Sequence, residues 1–423
     1  MRITPFARTR LVTVSLVTGL AASLTACGSL GGGGDDSGDD DATAEGDGVI
    51  SFMHYYGEPH NVPLEAALDE FAAANDVEID VRHVPFPDFN RTLQQSAAAD
   101  DLPDIALINA FDTQQMAEAE IIQDLSDRVE EWGEQDAYYP TSWQTTQVDG
   151  ATYGIPHVAD DYAVYYNADL LTAAGIEPPQ TWDDMEAAAA ALAQNGAKYG
   201  LAVSGREGAE GATGILLRAL AAGGDLETFG DEAGVEALES FTRMVENGGL
   251  SEGFLTWSED DAKNHFATGQ AALMINSATY VNILREEVPD LNWDVAPMPA
   301  DETSRTFLSA ENLTIAEGSG DEDLAWDLIT YLQQPDVLET YLPARNKLPA
   351  RNDVPGAVED PIRKKFADQL ENAWAPEGEI AANSEEMLVL VQEALQATVS
   401  GSASAADAAA TAQAGIDEAI AGS

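Results

Sequence analysis

The amino-acid sequence predicts an α/β protein built as two lobes. Short apolar segments alternate with amphipathic ones from Val49 onward, which is typical of βαβ units. The chain has 423 residues, and the part after Gly48 is too long for one ordinary hydrophobic core. Because Cys27 is the single cysteine, no disulfide within the chain can stabilise the fold, which must rest on apolar packing.

The first series of elements predicts a βαβαβ unit. Strands are expected at Val49–Tyr56, Val77–Val81 and Asp104–Asn109, because these segments are short and either apolar or alternating in polarity. Helices are expected at Pro63–Ala74 and Phe89–Ala99, where apolar residues recur on one helical face. This order implies a mainly parallel sheet flanked by helices, in which ligands sit beyond the carboxyl ends of the strands.

A second series of strands and helices begins near residue 153. Thr181 is a good N-cap for an alanine-rich helix at Trp182–Gln194, with Asp183 and Asp184 in its first turn. The other predicted strands are 162–167, 201–203, 271–275 and 313–315. The other predicted helices are 214–222, 234–245, 321–333 and much of 360–420, with a break at 400–406.

The first residues predict an export signal that ends at a lipid-attachment site. Basic residues precede a short apolar run, Leu11–Ala22, which is too short to span a bilayer as a helix. The sequence Leu24-Thr25-Ala26-Cys27 resembles the lipobox of bacterial lipoproteins, in which the cysteine is lipidated and becomes the new N-terminus. We therefore expect a signal peptide at 1–26, a lipid on Cys27 and a disordered Gly/Asp tether at 27–48. A plain signal peptide that ends in cysteine is the alternative.

The net charge narrows the range of partners. Nineteen Lys and Arg against 75 Asp and Glu give a net charge of −56. This balance argues against nucleic acid, whose phosphates need cations, and against docking of the body on an anionic membrane. A solvated acidic surface, suited to a cell exterior or a saline habitat, is the simplest interpretation. Neither a metal nor a cofactor is expected, because the five histidines lack metal-ligand spacing and no Gly-rich phosphate loop occurs.

Four segments of the sequence are informative as an ordered set. They are GATYGIP at 150–156 with YYNADLL at 165–171, AGIEPPQTWDD at 174–184, FATGQAALMIN at 266–276 and LPAR at 348–351. Each is weak alone. Together, behind a lipobox, they resemble the carbohydrate-type extracellular solute-binding proteins of bacterial ABC importers, the maltose-binding-like class.

The resemblance implies two α/β lobes joined by a hinge, with a ligand cleft between them that closes on the ligand. The N-terminal lobe is expected at 49–158 and 297–352, and the C-terminal lobe at 159–296 and 353–423. The protein would be a monomeric receptor, lipid-anchored on the extracellular face of the cell membrane. It would capture a sugar or oligosaccharide and deliver it to the permease subunits of an ABC importer.

Asp160 is the first candidate for the ligand site. Relatives commonly place a sugar-binding carboxylate just before the Tyr-Tyr-Asn strand, and Asp161 is the close second candidate. A solvated acid at the hinge is the alternative for both. Replacing Asp160 by Ala is expected to weaken binding at least tenfold and to leave the melting temperature of the unliganded protein nearly unchanged, since charge-assisted hydrogen bonds contribute about 1.5–3 kcal/mol each.

The other candidates supply the polar groups and aromatic faces that sugar binding needs. They are His54, Tyr55 and Tyr56 after the first strand, Asn109, Phe111 and Asp112 after the third, and Tyr280, Glu311, Asn312 and Trp374 further along.

Some of these candidates have an alternative interpretation. His54 is equally compatible with a buried structural histidine, and Trp374 with a core residue. Tyr280 follows a segment where many relatives carry a tryptophan, so a stacking platform depends on this tyrosine. Glu311 and Asn312 are expected just before a strand, where relatives often have an aromatic residue.

A secreted carbohydrate-active hydrolase is the rival class of function. The sequence has neither a Gly-x-Ser-x-Gly elbow nor a His-Glu-x-x-His zinc helix, so an enzyme is not expected. The carboxylate pair of a glycosidase is left open by spacing, because the chain has so many acids. A binder of a polyol or of a cationic osmolyte also stays open, as does a structural cell-wall adhesin.

Overall fold

The structure is a computed structural model that describes residues 48–422, and it confirms the α/β class. Cys27, the signal peptide and the tether up to residue 47 lie outside the described residues. The strands are β1 (Val49–His54), β2 (Glu78–His83), β3 (Ile105–Asn109), β4 (Gln147–Val148), β5 (Ala151–Thr152), β6 (Ile155–Asp160), β7 (Tyr162–Asn167), β8 (Tyr199–Ala202), β9 (Ala271–Ser277), β10 (Trp293–Ala296), β11 (Ser309–Ile315) and β12 (Leu348–Pro349).

Helices connect and cover these strands. The first nine are α1 (Val62–Asn75), α2 (Phe86–Ala98), α3 (Thr113–Glu118), α4 (Ser126–Trp132), α5 (Pro140–Gln144), α6 (Ala168–Ala174), α7 (Trp182–Gln194), α8 (Thr213–Ala221) and α9 (Glu232–Glu246). The others are α10 (Glu259–Ala267), α11 (Tyr280–Glu287), α12 (Glu322–Leu332), α13 (Pro335–Arg345), α14 (Pro361–Ala367), α15 (Gly378–Ala382), α16 (Ser384–Val399) and α17 (Ala405–Gly422).

The strands form two main sheets, and these are mixed rather than mainly parallel. The larger has the order β12-β6-β11-β3-β1-β2, and the smaller has the order β10-β7-β9-β8. Only β1 with β2, β1 with β3 and β8 with β9 pair in parallel, while the other pairs in these two sheets are antiparallel. The prediction of mainly parallel sheets is therefore wrong.

The mixed pairing has a physical cause in the connections. Parallel neighbours need a crossover of a dozen or more residues, usually a helix. Between β6 and β7 there is a single residue, Asp161, so the chain passes directly from the larger sheet to the smaller one. The chain returns to the larger sheet between β10 and β11. Because no βα crossover leads into β11, this strand runs antiparallel to both of its neighbours, β3 and β6. The predicted lobe boundaries remain a prediction.

Apolar residues of the strands alternate between two faces of the larger sheet. Phe52 and Leu107 pack in the core cluster that includes residues of α1 and α12, whereas Met53 and Ile108 pack with Phe89 of α2. This two-residue period is the expected one for strands buried on both faces. The packing fixes the register of β1 and β3, and with it the position at which both strands end.

Local sequence signals place several helices accurately. The predicted helix at Trp182–Gln194 matches α7 residue for residue. Its N-cap, Thr181, accepts a hydrogen bond from the Asp184 backbone N–H, and the Asp184 carboxylate accepts one from the Thr181 N–H. This reciprocal capping box satisfies two otherwise unpaired N–H groups, so the start of the helix depends on nearby residues alone.

Candidate ligand-binding site

The carboxyl ends of the central strands bring several predicted residues into one row. Met53 of β1 pairs with Ala106 of β3, Tyr56 lies two residues beyond the end of β1, and Asn109 is the last residue of β3. Asn109 pairs in turn with Glu311 of β11. The edge of the sheet therefore presents Tyr56 and Glu311 close together, although 255 positions separate them in the sequence.

Tyr56, Glu311 and Arg345 form a connected polar group. The Tyr56 hydroxyl donates a hydrogen bond to the Glu311 carboxylate. The Arg345 guanidinium lies over the Tyr56 ring, 3.6 Å from its centroid, and 4.0 Å from a Glu311 oxygen. Burial and the Glu311 charge raise the pKa of Tyr56 well above its usual value. The phenol therefore stays protonated at physiological pH and keeps donating to Glu311.

Tyr55 and Asp112 extend this group on one side. Burial raises the pKa of the Tyr55 phenol, and the charges of Glu311 and Asp112 raise it further. Burial also raises the pKa of Asp112 to about 6, with a further contribution from Glu385. Asp112 can thus change its protonation state just below neutral pH, while Tyr55 remains a hydrogen-bond donor.

Asp160 is buried, and its carboxylate is already used within the protein. Oδ1 accepts hydrogen bonds from the N–H groups of Asp161 and Ala278, each at 3.0 Å. Oδ2 accepts from the Thr279 hydroxyl at 2.6 Å and from Lys347 Nζ at 3.0 Å. Asp160 is thus not a solvated hinge acid, and a contact with ligand remains a prediction for it. The expectation that Asp160→Ala spares the unliganded protein needs revision, because four hydrogen bonds would be lost, two of them buried and two partly buried.

Asp161 is fully buried behind Asp160. Burial and the neighbouring Asp160 charge raise the pKa of Asp161 well above its usual value. Its Oδ2 accepts a hydrogen bond of 3.3 Å from the Gln369 side chain. We therefore expect a neutral Asp161 carboxyl at physiological pH, and its predicted contact with ligand is untested.

An aromatic group, here called the Phe307 cluster, consists of Phe111, Tyr162, Phe307 and Trp374. The Phe307 ring centroid lies 5.8 Å from that of Phe111, 6.3 Å from that of Tyr162 and 5.8 Å from that of Trp374. Trp374 Nε1 donates a 2.8 Å hydrogen bond to Asp225. The cluster joins the end of β3 to the start of β7, so it spans both sheets. Sequence reasoning missed Phe307 and Tyr162, because nothing local distinguishes them from core residues.

Glu259 and Tyr280 supply polar groups from the side of the smaller sheet. The Tyr162 hydroxyl donates a 2.8 Å hydrogen bond to Glu259, and burial raises the pKa of Glu259 to about 7. The Tyr280 hydroxyl donates a 3.2 Å hydrogen bond to Asp260, and burial raises the pKa of Tyr280. Sequence reasoning missed Glu259. The preceding Ser258 is the N-cap of α10, and this capping residue was the local sequence signal that Glu259 is the first residue of a helix.

Two predicted residues serve the scaffold in this structure. His54 Nδ1 accepts a hydrogen bond from the Tyr56 N–H, and burial with nearby His83 lowers the pKa of His54 to about 4, so the ring is neutral. The Asn109 side chain accepts a hydrogen bond from the Phe111 N–H and caps the turn. Both residues shape the backbone that presents Tyr56 and Phe111. Their predicted contacts with ligand are untested.

Glu311 and Asn312 lie inside β11, so their expected position before a strand is wrong. The pairing register shifts between them, which marks a β-bulge. The Asn312 amide is buried and donates to the Thr113 hydroxyl at 3.0 Å and to the Thr145 carbonyl at 3.2 Å. Because these partners satisfy the amide, the polar Asn312 side chain is stable in the buried part of β11.

Residues 48–422 contain neither a side-chain cluster of the metal-binding type nor a candidate membrane-spanning helix. No group of three or more His, Cys, Asp or Glu side chains is arranged to hold a metal ion in this part of the chain. Within the same residues, no helix combines the length and apolar character needed to cross a bilayer.

The profile of the bacterial extracellular solute-binding protein family matches residues 66–367. The chain belongs to this family. Two curated relatives described as binding proteins, from Brucella abortus (strain 2308) and Brucella suis biovar 1 (strain 1330), are each 31% identical over 207 residues. The match covers 45% of this chain and 48% of each relative, so it spans about half of their length.

Solved structures of sugar-binding proteins share this fold. The sugar-binding protein MalE of Xanthomonas citri superposes with a TM-score of 0.79 at 24% identity, covering 88% of this chain and 98% of that one. The cyclic alpha-maltosyl-1,6-maltose binding protein of Arthrobacter globiformis gives 0.78 at 22%, covering 89% and 99%. The GacH receptor of Streptomyces glaucescens, solved unliganded and with acarbose, gives 0.76 at 22%, covering 88% and 98%. These likenesses confirm the two-lobed fold of this family.

Proposed function

We propose that this solute-binding protein captures a sugar or oligosaccharide outside the cell and delivers it to the permease of an ABC importer. One observation carries the proposal. The Tyr56–Glu311 pair lies at the same sheet edge as the Phe307 cluster, because Asn109 pairs with Glu311 and Phe111 follows two residues later. Sugars need both kinds of group, since carboxylates accept from hydroxyls and aromatic faces cover the apolar side of a pyranose ring.

The two sheets contribute separate halves to the proposed site. Glu311 lies in the larger sheet, whereas Tyr280 begins α11 and Glu259 begins α10, the helices that follow and precede β9 of the smaller sheet. Among the residues predicted from the sequence, the proposed contacts are Tyr55, Tyr56, Phe111, Asp112, Tyr280, Glu311 and Trp374. A ligand that contacts both halves would favour closure of the lobes by a hinge motion, the form that a permease would recognise.

Attachment to the membrane completes the proposal. A diacylglycerol on Cys27 would hold a monomeric receptor at the extracellular face of the membrane, close to the permease. One acyl chain gives only marginal binding, whereas two hold a protein stably. Cys27 lies outside the described residues, so this step rests on the lipobox sequence alone.

A thermal-shift screen tests the binding function. Mono- and oligosaccharides, polyols and cationic osmolytes would each be added to the unlipidated protein in one buffer. A ligand at a hundred times its dissociation constant adds about 2.7 kcal/mol to the free energy of unfolding, which raises the melting temperature measurably. We expect stabilisation by at least one saccharide. Stabilisation by a polyol or an osmolyte with none by any saccharide contradicts the proposed ligand class.

Chromogenic glycosides separate the receptor from a hydrolase. The family and the solved neighbours are binding proteins. We therefore expect any glycoside that stabilises the protein to be recovered intact after prolonged incubation. Release of the chromophore at a rate that depends on protein concentration would establish an enzyme instead.

A further inference from the structure

The sequence Leu-Pro-Ala-Arg occurs twice in close succession, at 342–345 and at 348–351. Each copy ends in an arginine whose side chain is only 4% exposed. Arg345 is the last residue of α13, and Arg351 lies two residues beyond β12. A buried charge is costly unless it is paired and hydrogen-bonded, so the partners of each arginine indicate its role.

Arg351 is satisfied by partners that belong to the scaffold. Its Nε and Nη2 each donate a hydrogen bond of 2.8 Å to the carboxylate of Asp353. Its Nη1 donates to Glu134 at 2.7 Å and to the Gln333 carbonyl at 3.0 Å. The guanidinium also lies over the Tyr138 ring, 5.4 Å from the ring centroid. These contacts account for the burial of Arg351 through the fold alone.

Arg345 is equally buried but lacks such a set of partners. Its Nε donates to no group among residues 48–422, and its contact with the Glu311 carboxylate is 4.0 Å long. The guanidinium carbon instead lies 3.6 Å from the centroid of the Tyr56 ring, whose hydroxyl donates to Glu311. The buried charge of Arg345 therefore acts on two residues of the proposed ligand site.

The placement of Arg345 suits it to orient both of these residues. A cation over the face of an aromatic ring is attracted by the ring quadrupole, so the guanidinium restrains the plane of the Tyr56 ring. Arg345 and the Tyr56 hydroxyl also approach the same carboxylate oxygen of Glu311, Oε2. The three side chains therefore restrain one another, and groups that are ordered before a ligand arrives lose less entropy on binding.

We propose that Arg345 is a positioning residue of the ligand site. It holds the Tyr56 ring and the Glu311 carboxylate in the arrangement that receives a sugar, and it acts through them without contacting the sugar itself. This inference rests on the proposed function and deepens it. Arg351 is the matched control, because it is as buried as Arg345 and also lies over a tyrosine but serves the scaffold.

Calorimetric titration measures the effect of Arg345 on affinity. The probes are glucose, maltose and xylobiose, each titrated into the wild type, Arg345→Met, Arg345→Lys and Arg351→Met. We expect Arg345→Met to raise the dissociation constant of each probe that binds by about tenfold. Arg345→Lys should recover part of this loss, because lysine keeps the charge but lacks the flat group that stacks on the ring. Arg351→Met should lower the melting temperature and leave affinity nearly unchanged.

A double-variant cycle separates positioning from general stability. If Arg345 acts through Glu311, then adding Arg345→Met to Glu311→Gln should change affinity by less than about threefold. The same tenfold loss in both backgrounds would show that Arg345 supports the fold as a whole, which overturns the positioning role. Unchanged affinity of Arg345→Met for a probe that binds the wild type also overturns it and leaves the receptor function standing.

The hydroxyl proton of Tyr56 provides a test that needs no ligand. Tyr56 donates to Glu311, and the buried Tyr165 hydroxyl donates a 2.6 Å hydrogen bond to the Ser277 carbonyl. NMR of tyrosine-labelled protein measures how fast both protons exchange with water, with Tyr56→Phe used for assignment. We expect Arg345→Met to accelerate exchange at Tyr56 by about tenfold, Arg345→Lys to be intermediate, and Tyr165 to be unaffected.

This measurement distinguishes failure of the positioning role from failure of the proposed function. Acceleration of both hydroxyl protons to the same extent, or of neither, overturns the role of Arg345 whether or not a sugar binds. Selective acceleration at Tyr56, in a protein whose wild type binds no saccharide in the broader screen, supports the restraint by Arg345 and contradicts the proposed function alone.

Discussion

Lys347 and Asp160 form a largely buried ion pair, with 3.0 Å between Nζ and Oδ2. Asp160 ends β6 in the larger sheet, and its carboxylate also accepts hydrogen bonds from Ala278 and Thr279, which follow β9 in the smaller sheet. Burial alone would lower the pKa of Lys347, but the charges of Asp160 and Glu311 raise it above its usual value. The ammonium group is therefore charged, and the pair connects the two sheets at the point where the chain crosses between them.

Removal of Lys347 should destabilise the unliganded protein. Lys347→Met leaves the Asp160 charge buried without its cation, and breaking a buried pair in this way costs about 3–5 kcal/mol. We expect a fall of about 3 kcal/mol in the free energy of unfolding, measured by urea denaturation. The double variant Lys347→Met/Asp160→Asn removes the stranded charge and should recover part of that loss. A single variant within about 0.5 kcal/mol of the wild type would mean that the pair is screened by water.

Glu311 should contribute strongly to ligand affinity. Glu311→Gln keeps the shape of the side chain but removes the charge that strengthens hydrogen bonds from sugar hydroxyls, each contributing about 1.5–3 kcal/mol. We expect at least a tenfold rise in the dissociation constant, measured by calorimetry with a saccharide that stabilises the protein. Glu317→Gln, at an exposed position just beyond β11, is the matched control. Unchanged affinity in the Glu311 variant would place the ligand away from the Tyr56–Glu311 pair.

Local signals were enough to predict those elements whose stabilising partners are close in sequence. The limits of α7 follow from Thr181 and Asp184, which cap one another. Likewise, β1 and β3 were predicted because their own residues are apolar and alternate between two buried faces. For elements of this kind, the residues that determine the structure lie within a few positions of one another in the sequence.

The rest of the site depends on partners that are remote in sequence. Glu311 lies within a strand because Tyr56 and Arg345 satisfy its carboxylate, and the first of these is 255 positions away. The pairing of Asp160 with Lys347 joins positions 187 apart. Periodicity and composition do not encode such pairings. The sequence could therefore indicate that the site lies at the ends of strands, but not which residues contact one another there.

Glu259 should make the stability of the protein depend on pH. Its folded pKa of about 7 lies above the ordinary value of 4.5, mainly because of burial. The folded state therefore holds this proton more tightly than the unfolded state does. Its contribution to stability falls as the pH rises from about 4.5 to about 7 and is constant above that. At alkaline pH, ionisation of the buried Glu259 lowers the free energy of unfolding by at most about 3 kcal/mol, since one pKa unit corresponds to about 1.36 kcal/mol.

Glu259→Gln should remove this cost and keep the hydrogen bond with Tyr162. We expect the variant to be more stable than the wild type at pH 8 and equal to it near pH 4, measured by urea denaturation at both values. Glu252→Gln changes an exposed acid just before α10 and serves as the control, with no such difference between the two pH values. An equal gain at both values would show that packing, and not ionisation, explains the effect.

Cys27 should be required for lipid attachment. Cys27→Ser removes the sulfur that would carry the diacylglycerol, so the protein should be released from cells or remain unprocessed. Metabolic labelling with a radioactive fatty acid, followed by immunoprecipitation, measures this directly. Ser29→Ala, two residues further along, should be labelled like the wild type. Continued labelling of the Cys27 variant would show that the lipid is attached elsewhere.

The acidic charge should make stability, but not affinity, depend on salt. With 75 Asp and Glu against 19 Lys and Arg, repulsion is spread over the whole chain. The Debye length falls from about 30 Å at 0.01 M to about 3 Å at 1 M salt, so sodium chloride screens this repulsion and should raise the melting temperature. Binding of a neutral sugar should stay nearly constant over the same range, because its hydrogen bonds are not long-range charge interactions.

A cationic ligand would behave differently in the same titration. Attraction of a cation by the acidic surface is a long-range interaction, so its affinity would fall steeply between low and molar salt. The affinity is measured by calorimetry at both salt concentrations. In the control, sucrose at equal osmolality replaces sodium chloride, which separates charge screening from the general effect of a concentrated solute. Constant affinity supports a neutral saccharide. A steep loss in salt, absent in sucrose, would replace the sugar with a cationic osmolyte as the ligand of this receptor.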